Sequence, residues 1–148
     1  MIVRKVEAVD LYRFDLMQRT PDPPPWVVEV EDFIFRHAWY WANQGTERAF
    51  LLAEDDNGEL IGVSACELAS DGVAYLPAVL VVYEQRRQGY ARQLLDETLD
   101  RAELLAPGGT AFWLVHEDNA VMRRLSEETG ALATGRTEDA YLRFELAF

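Results

Sequence analysis

One stretch of the chain, residues 78–105, narrows the possible folds more than any other. Leu80-Val81-Val82 is an apolar run typical of a buried strand, and Arg86-Arg87-Gln88-Gly89 follows it as a short loop. Apolar residues then recur at spacings of three and four, which predicts a helix from about Gly89 to Leu105. A buried strand that continues into an amphipathic helix is typical of domains in which helices cover a sheet.

Turn signals place an antiparallel meander before that stretch. Asn57-Gly58 and Asp71-Gly72 are turn sequences, and the apolar runs that they separate cover residues 49–54, 60–68 and 73–82. Pro77 lies inside the third run. Because proline cannot donate a backbone hydrogen bond to a neighbouring strand, we expect a bulge or an unpaired edge at this position.

The remaining segments complete an α/β (α+β) pattern with a mixed sheet. Patterning predicts a short strand over 2–7, helices over 9–19 and 27–43, a buried strand over 111–116, a helix from Asp118 or Asn119 to about Thr129, and a last strand over 140–148. Prolines at 21 and 23–25 separate the first two helices. The second helix carries one apolar stripe, which consists of Val30, Phe33, Ile34, His37, Ala38 and Trp41, so we expect His37 to lie in the core or to line a site.

Length and composition indicate a single domain over residues 1–148. No apolar run is long enough to span a membrane, the first residues carry charges, and the one cysteine, Cys66, cannot form an internal disulfide. We therefore expect a cytoplasmic protein that does not associate with membranes. The net charge of −12 disfavours nucleic-acid partners, which need a basic surface, and no cluster of residues has metal-ligand spacing, so we expect no metal.

The loop after the 73–82 strand carries the chemistry. Arg86, Arg87 and Arg92 form a basic cluster in an acidic chain. The first turn of a helix has unpaired N–H groups and the positive end of the helix dipole, and the small residues Gly89 and Ala91 let an anion approach the backbone. The sequence lacks both the P-loop and the dinucleotide-binding glycine patterns, so a different phosphate-binding loop is indicated.

Arg86-x-x-Gly89-x-Ala91 resembles the [QR]-x-x-G-x-[GA] motif with which the GNAT superfamily of N-acetyltransferases binds the pyrophosphate of acetyl-coenzyme A. Val115-His116-Glu117-Asp118-Asn119, followed by Leu125, Glu127 and Gly130, is similar to a second motif of that superfamily. The resemblance covers about residues 48–148. It departs from the family at Met122, Ala131 and, most importantly, Ser126, which stands where many members have the tyrosine that protonates the departing thiolate.

The resemblance implies a mostly antiparallel, twisted sheet with helices on both faces and a splayed pair of central strands. Residues 48–148 would form the cofactor-binding core, and 1–47 the variable substrate side. The cofactor-binding residues that it implies are Leu80, Val81, Val82, Arg86, Arg87, Gln88, Gly89, Tyr90, Ala91, Arg92 and Asn119. The implied activity is direct transfer of an acetyl group from acetyl-CoA to a primary amine of a small molecule or peptide, through a tetrahedral intermediate.

Candidate catalytic residues follow from position and residue type. Glu67 and His116 stand at strand ends as candidate bases, although each is also compatible with a solvated surface position. Tyr75 and Tyr83 are candidate acids, although tyrosines at such positions often only pack. Ser126 is a candidate by its place in the motif, although a hydroxyl of serine is a far weaker acid than a phenol.

The acceptor is the least determined part of the prediction. Aromatic residues are concentrated in the N-terminal region beside acidic ones, and this wall suits an amine-bearing acceptor, although it is also compatible with plain packing of a helix; the aromatics are Trp26, Phe33, Phe35, Trp39, Tyr40 and Trp41. A non-catalytic acetyl-CoA or CoA sensor is the alternative that Ser126 favours. An RNA-directed transferase is disfavoured by the net charge, and a homodimer is possible.

Overall fold

Seven strands form one sheet in the order β1-β2-β3-β4-β5-β7-β6. The computed structural model describes residues 1–42 and 45–148, and the side chains of all these residues except 39–42. The strands are β1 (Ile2–Lys5), β2 (Arg48–Glu54), β3 (Leu60–Ser70), β4 (Val73–Val81), β5 (Thr110–His116), β6 (Leu132–Arg136) and β7 (Tyr141–Ala147). The α-helices are α1 (Leu11–Asp15), α2 (Pro25–Ala42), α3 (Tyr90–Leu105) and α4 (Ala120–Glu128). The predicted mixed α and β class is confirmed.

The predicted meander and the bulge at Pro77 are both present. β2, β3 and β4 pair antiparallel, and β4 pairs with β5 in parallel. Ala78 stands opposite Ala65 but Tyr75 stands opposite Glu67, so β4 has one residue more than β3 across this interval. The extra residue reverses which side chains face which side of the sheet, so that Leu76 packs on one face and both Ala78 and Leu80 pack on the other.

The bulge also separates the two central strands. Pairing of β4 with β5 covers only Val73–Tyr75 on β4 and ends at the contact of Tyr75 with Phe112. Beyond it β4 continues to Val81 and β5 to His116 without pairing to each other. The splayed pair of central strands is therefore confirmed, and it opens toward the carboxyl ends of both strands.

Helices cover the two faces of the sheet. α3 and α4 pack on one face, where Leu95, Leu99 and Leu125 share a core with Trp113 and Phe144. α2 packs on the opposite face through Ile34 and Ala38, which contact residues of β2, β3 and β4. Trp26, near the N-terminal end of α2, stacks on His116 of β5, so the helix lies across the splayed region.

Three segments differ from the sequence expectation. The 9–19 helix is a 3-10 turn (Ala8–Asp10) followed by only five residues of α1. The apolar stripe predicted for α2 is wrong at His37, which is exposed, because the buried face of the helix includes Glu31 instead. Asn43, the predicted end of this helix, and the side chain of Trp41 lie outside the described residues. The sequence also missed β6. All its residues are exposed, so no alternation of polar and apolar residues marks it as a strand.

A charged network joins the N-terminal segment to the sheet. Asp10 is 3% exposed, and its two oxygens accept hydrogen bonds of 2.8 Å from Arg4. Arg4 and Arg13 also reach the carboxylate of Glu54 at 2.9 Å. The hydrogen bonds from Arg4 hold the pKa of Asp10 below its usual range, and those from Arg13 and Arg4 do the same for Glu54.

We expect Asp10→Asn to lower the free energy of unfolding at pH 7 by about 1.5 kcal/mol, because it weakens the charge-assisted hydrogen bonds to a buried carboxyl, while Arg4 is itself 37% exposed and keeps its contact with Glu54. Carboxyls with lowered pKa stabilise the fold above their unfolded-state pKa of about 4, and this stabilisation is lost as the pH falls through the folded-state pKa. Urea unfolding from pH 7 to pH 3 should therefore show a shallower acid dependence in the variant. Asp15→Asn, an exposed change on α1, is the control; equal midpoints for the two variants would contradict this role.

Candidate active site

The gap between β4 and β5 leaves backbone groups of β4 unpaired. The N–H of Val82 donates to the carbonyl of Ile61 at 2.9 Å, so Val82 and, two residues before it, Leu80 direct their backbone groups toward β3. Val79 and Val81 therefore direct theirs into the gap. Of the three strand residues predicted to bind cofactor, only Val81 directs its backbone groups into the gap. Val79 does the same, but it was not among the predicted residues, because sequence does not show which backbone groups of a strand face which neighbour.

Arg86 lines the same gap. Its Nε donates to the carbonyl oxygen of Val81 at 2.9 Å, while its Nη2 is buried and has no hydrogen-bond partner among the described residues. Burial lowers the pKa of the Arg86 guanidinium, and the charge of Glu31 on α2 opposes this effect. A buried N–H without a partner is costly, so this nitrogen is suited to a ligand oxygen.

The loop that follows is shaped for an anion. Arg87 and Gly89 both have positive φ, of 65° and 80°, and no side chain caps the start of α3 within the part of the chain described. A Cβ on Gly89 would meet no atom within 4 Å, so the space in front of this residue is open. The amide groups of the first turn of α3 are thus available to a phosphate.

The other predicted loop residues have different environments. The Arg92 side chain donates to Asp96 at 3.1 Å and to Glu128 of α4 at 3.1 Å, which links α3 to α4 and leaves its backbone as the part that could meet a cofactor. Tyr90 packs against buried Leu94 and its neighbours. Arg87 is exposed, Ala91 is half-buried in the first turn of α3, and Gln88 contacts Gln85 at 3.4 Å.

The closed end of the gap brings together two predicted catalytic residues. Glu67 on β3 and Tyr75 on β4 are direct register partners, and Tyr75 stacks on Phe112 of β5 with 4.8 Å between ring centroids. The carboxylate of Glu67 accepts a hydrogen bond of 3.1 Å from Arg48. Burial, followed by the charge of Glu67, raises the pKa of Tyr75, so its hydroxyl keeps its proton at neutral pH.

The environment of Ser126 does not suit a catalytic role. It is fully buried, it accepts a hydrogen bond from Nε1 of Trp113 at 2.9 Å, and it donates to the carbonyl of Met122 at 2.7 Å. Its one proton is engaged inside α4, so this environment favours a packing role over the catalytic role considered above. Asn119, in turn, caps α4 by accepting from the N–H of Met122 at 3.2 Å, and the cap leaves its side-chain amide nitrogen available.

His116 is held at the end of β5 by contacts that oppose a role as a base. Its Nδ1 accepts a hydrogen bond from the backbone N–H of Asp118 at 3.1 Å, so the neutral ring carries its proton on Nε2. Trp26 of α2 stacks on the ring at 4.7 Å, and Tyr141 of β7 contacts its edge at 5.2 Å. The Tyr141 hydroxyl donates to Glu29 of α2, which completes a bridge between the helix and the sheet.

The predicted acceptor wall is only partly visible. Trp26 contacts His116, Phe33 lies beside His37, and Arg19 stacks over Phe35 at 4.1 Å; the side chains of Trp39, Tyr40 and Trp41 lie outside the described residues.

Tyr83, the other candidate acid, is exposed next to Arg86. Cys66 is buried, and burial raises the pKa of its thiol to about 12, so it stays neutral. No helix in residues 1–42 and 45–148 is both long and apolar enough to cross a bilayer.

Comparisons with known proteins agree with this geometry. A chimera of Vibrio cholerae spermidine N-acetyltransferase SpeG and hSSAT has a TM-score of 0.73 at 18% identity, with 99% of this chain and 96% of that chain covered. The Vibrio cholerae enzyme solved with CoA and spermine has a TM-score of 0.73 at 18% identity, with coverages of 99% and 94%. Its dodecameric form has a TM-score of 0.69 at 19% identity, with coverages of 99% and 92%. At these identities the similarity establishes the fold.

No curated protein matches the chain significantly by sequence. A family model described as "Acetyltransferase (GNAT) family" matches residues 8–131, which include the meander, the arginine–glycine loop and α4. The resemblance inferred from two short motifs is thereby confirmed over most of the chain, and we conclude that this protein belongs to the GNAT family of acetyltransferases.

Proposed function

We propose that the protein transfers an acetyl group from acetyl-CoA to a primary amine of a small molecule or peptide. The observation that carries the proposal is the gap between β4 and β5, which leads from the anion-binding loop at one end to Glu67 and Tyr75 at the other. Acetyl-CoA is the ligand that suits this shape, because it has a pyrophosphate at one end, an amide-containing arm and a thioester at the other end.

The residues of the gap fit that ligand. The loop amides from Arg87 to Ala91 would hold the pyrophosphate, and the unpartnered Nη2 of Arg86 would supply a charged donor beside it. The backbone groups of Val79 and the N–H of Val81, whose carbonyl already accepts from Arg86, would pair with the amides of the pantetheine arm, as an added strand pairs with a sheet edge. The neighbour solved with CoA and spermine supports the same class of ligands.

When bound, acetyl-CoA supplies an activated acetyl group as a thioester. We propose that Glu67 accepts a proton from the ammonium group of the acceptor, since the hydrogen bond from Arg48 holds this carboxylate in place beside Tyr75. Tyr75, whose pKa is raised, is the proposed donor of a proton to the leaving thiolate. The C–N bond forms to give a tetrahedral intermediate, whose collapse breaks the C–S bond. Glu67 takes the ammonium proton and passes it to solvent, Tyr75 protonates the leaving thiolate, and the second proton lost by the nitrogen restores the Tyr75 hydroxyl.

The acceptor would approach from the face that α1 and α2 cover, because α3 and α4 close the other face. This assigns residues 1–47 to the acceptor side and residues 48–148 to the cofactor core. The structural neighbours are spermidine and spermine acetyltransferases, which supports a small amine as acceptor. The possible homodimer stays a prediction, which light scattering would test, and the absence of a metal stays one as well.

A CoA-binding sensor without turnover is the second candidate. The burial of Ser126 supports it, because the residue at the usual position of the acid cannot reach a ligand. The two proposals share the cofactor site and differ in whether Glu67 and Tyr75 act on a substrate.

Calorimetric titration with acetyl-CoA, followed by a thiol-release assay over a panel of amines, tests the proposal. Micromolar binding together with amine-dependent thiol release is the expected result. Binding without release for any amine would favour the sensor, and an absence of binding would contradict both candidates.

A further inference from the structure

A strip of aligned side chains crosses the sheet at the closed end of the gap. Register pairing connects Arg48 to Glu67, Glu67 to Tyr75, Tyr75 to Phe112 and Phe112 to Glu145, one residue from each of five neighbouring strands. Register partners direct their side chains to the same face, here the face of α2. We call this set the transverse strip.

The sheet beside the strip is open to solvent. Leu114 lies two residues after Phe112 in β5, on the same face, and 39% of it is exposed although β5 is an interior strand. Phe112 and Tyr75 are half-buried. An apolar, uncovered area at the centre of a sheet and next to candidate catalytic residues is suited to the apolar part of a ligand.

Arg143 stands over this area in a fixed orientation. It is the register partner of Leu114, its guanidinium lies 3.8 Å from the centroid of the Phe112 ring, and its Nε donates to Glu145 at 2.6 Å. Its two terminal nitrogens donate to no described residue. A guanidinium that is anchored through Nε and rests 3.8 Å from a ring centroid, with terminal N–H groups that donate to no described residue, can bind a carboxylate in a bidentate manner.

Each arginine beside the strip is already paired with one carboxylate, Arg48 with Glu67 and Arg143 with Glu145. The guanidinium of Arg48 is engaged with the carboxylate of Glu67, which carries the proposed proton-accepting role. Arg143 contacts the ring of Phe112 that Tyr75 also contacts, so it lies one ring away from the proposed reaction site. A molecule with an amine at Glu67 and a carboxylate at Arg143 would match both charges.

From this arrangement we propose that the acceptor carries a carboxylate as well as its amine, and that Arg143 binds this carboxylate while the apolar part of the acceptor lies on Phe112 and Leu114. The inference rests on the proposed acetyltransferase function. It names the acceptor class as short peptides with a free carboxyl end, because three strand spacings of about 4.8 Å separate Glu67 from Arg143, far more than the distance between the amine and the carboxylate of one amino acid. The whole chain has a net charge of −12, so it would repel an anionic group unless a cation were placed to bind it. Arg143 is such a cation.

Two matched pairs of acceptors test the proposal. The tripeptides leucyl-leucyl-glycine and phenylalanyl-leucyl-glycine are each compared with their C-terminal amides, so that each pair differs in the carboxylate. We expect wild-type kcat/KM to be about tenfold higher for the carboxylated member, which corresponds to one charge-assisted contact of about 1.4 kcal/mol. Arg143→Gln should abolish the difference, mainly by raising KM, and Arg143→Lys should retain part of it, while KM for acetyl-CoA stays unchanged.

Arg136→Gln is the matched control. Arg136 is also an exposed arginine of the β6–β7 hairpin in a 2.9 Å ion pair, here with Glu117, and its register partner Leu142 packs into the core on the α3 and α4 side. The control removes the same charge from the opposite face, so its selectivity should equal that of the wild type. Equal effects of the two substitutions would indicate a general field effect and overturn the assignment.

A binding experiment separates this inference from the proposed function. The four acceptors are titrated calorimetrically into wild-type and Arg143→Gln protein saturated with CoA, so that no turnover is needed. Carboxylate-dependent binding that the substitution removes supports the inference even if no amine is acetylated. Acetylation without any carboxylate preference, or a preference that Arg143→Gln leaves intact, refutes the inference and leaves the proposed function standing.

Discussion

Replacing Gly89 by valine is expected to weaken binding of coenzyme A at least about 100-fold. The Cβ of the new residue would enter the open space in front of the loop, which is the space that a pyrophosphate must occupy to reach the amides. Loss of two charge-assisted hydrogen bonds, at about 1.5–3 kcal/mol each, corresponds to this factor or more. Calorimetric titration with CoA measures it directly.

Backbone strain has to be separated from this steric effect. The φ of Gly89 is 80°, a conformation that costs a β-branched residue about 1–2 kcal/mol in folding stability. Gly72→Val provides the matched control, because Gly72 has a φ of 71°, its Cβ would also meet no atom within 4 Å, and it lies in the β3–β4 turn at the opposite end of β4. We expect similar losses of stability in the two variants and normal CoA binding only in Gly72→Val. Undiminished binding in Gly89→Val would place the pyrophosphate elsewhere.

The second large effect is expected at Glu67. Glu67→Gln removes the proposed proton acceptor and should lower kcat about 100-fold at pH 7, which is the usual range for loss of a general base. The difference in kcat between Glu67→Gln and the wild type should shrink as the pH rises toward the pKa of the acceptor amine, because an amine that has already lost its proton needs no base. The dissociation constant of CoA should not change. The pH profile of kcat/KM for both proteins is the measurement.

Arg48→Gln separates catalysis from the ion pair. It breaks the same 3.1 Å contact while it leaves the carboxylate of Glu67 in place, so its kcat should fall much less than that of Glu67→Gln. Tyr75→Phe should lower kcat about tenfold without affecting CoA binding, less than the roughly 100-fold or more usual for a general acid, because water can also protonate a thiolate. If Arg48→Gln and Glu67→Gln were equally slow, Glu67 would be a structural residue, and the proton acceptor would have to be sought elsewhere.

Much of the fold could be predicted because its signals are local. The turn sequences at 57–58 and 71–72, the proline in β4 and the periodicity of α3 each reflect the preferences of a few adjacent residues, and the structure contains the elements that they predict. β6 carried no such signal, because a strand with both sides exposed has no apolar alternation. The place of His37 was predicted wrongly because Glu31, a polar residue, occupies the buried position on α2.

The loop proposed to bind an anion was also within reach of sequence, since a strand end, a glycine and a helix start are consecutive in the chain. The proposed catalytic end was not. Glu67, Tyr75 and Phe112 are brought together by strand register and by the one-residue bulge of β4, which sets the side of the sheet on which each side chain lies. The roles suggested for Ser126 and His116 likewise depended on the partners of their polar atoms, and those partners come from folding.

The sequence by itself determined the family, the class of fold and the position of the loop, because these depend on contacts between residues close together in the chain. Only the tertiary structure decided which backbone groups of β4 remain free, which acid and hydroxyl meet at the closed end of the gap, and that Arg143 stands over Phe112. These features join strands that are far apart in sequence, and a shift of one residue in register would move each side chain to the other face of the sheet.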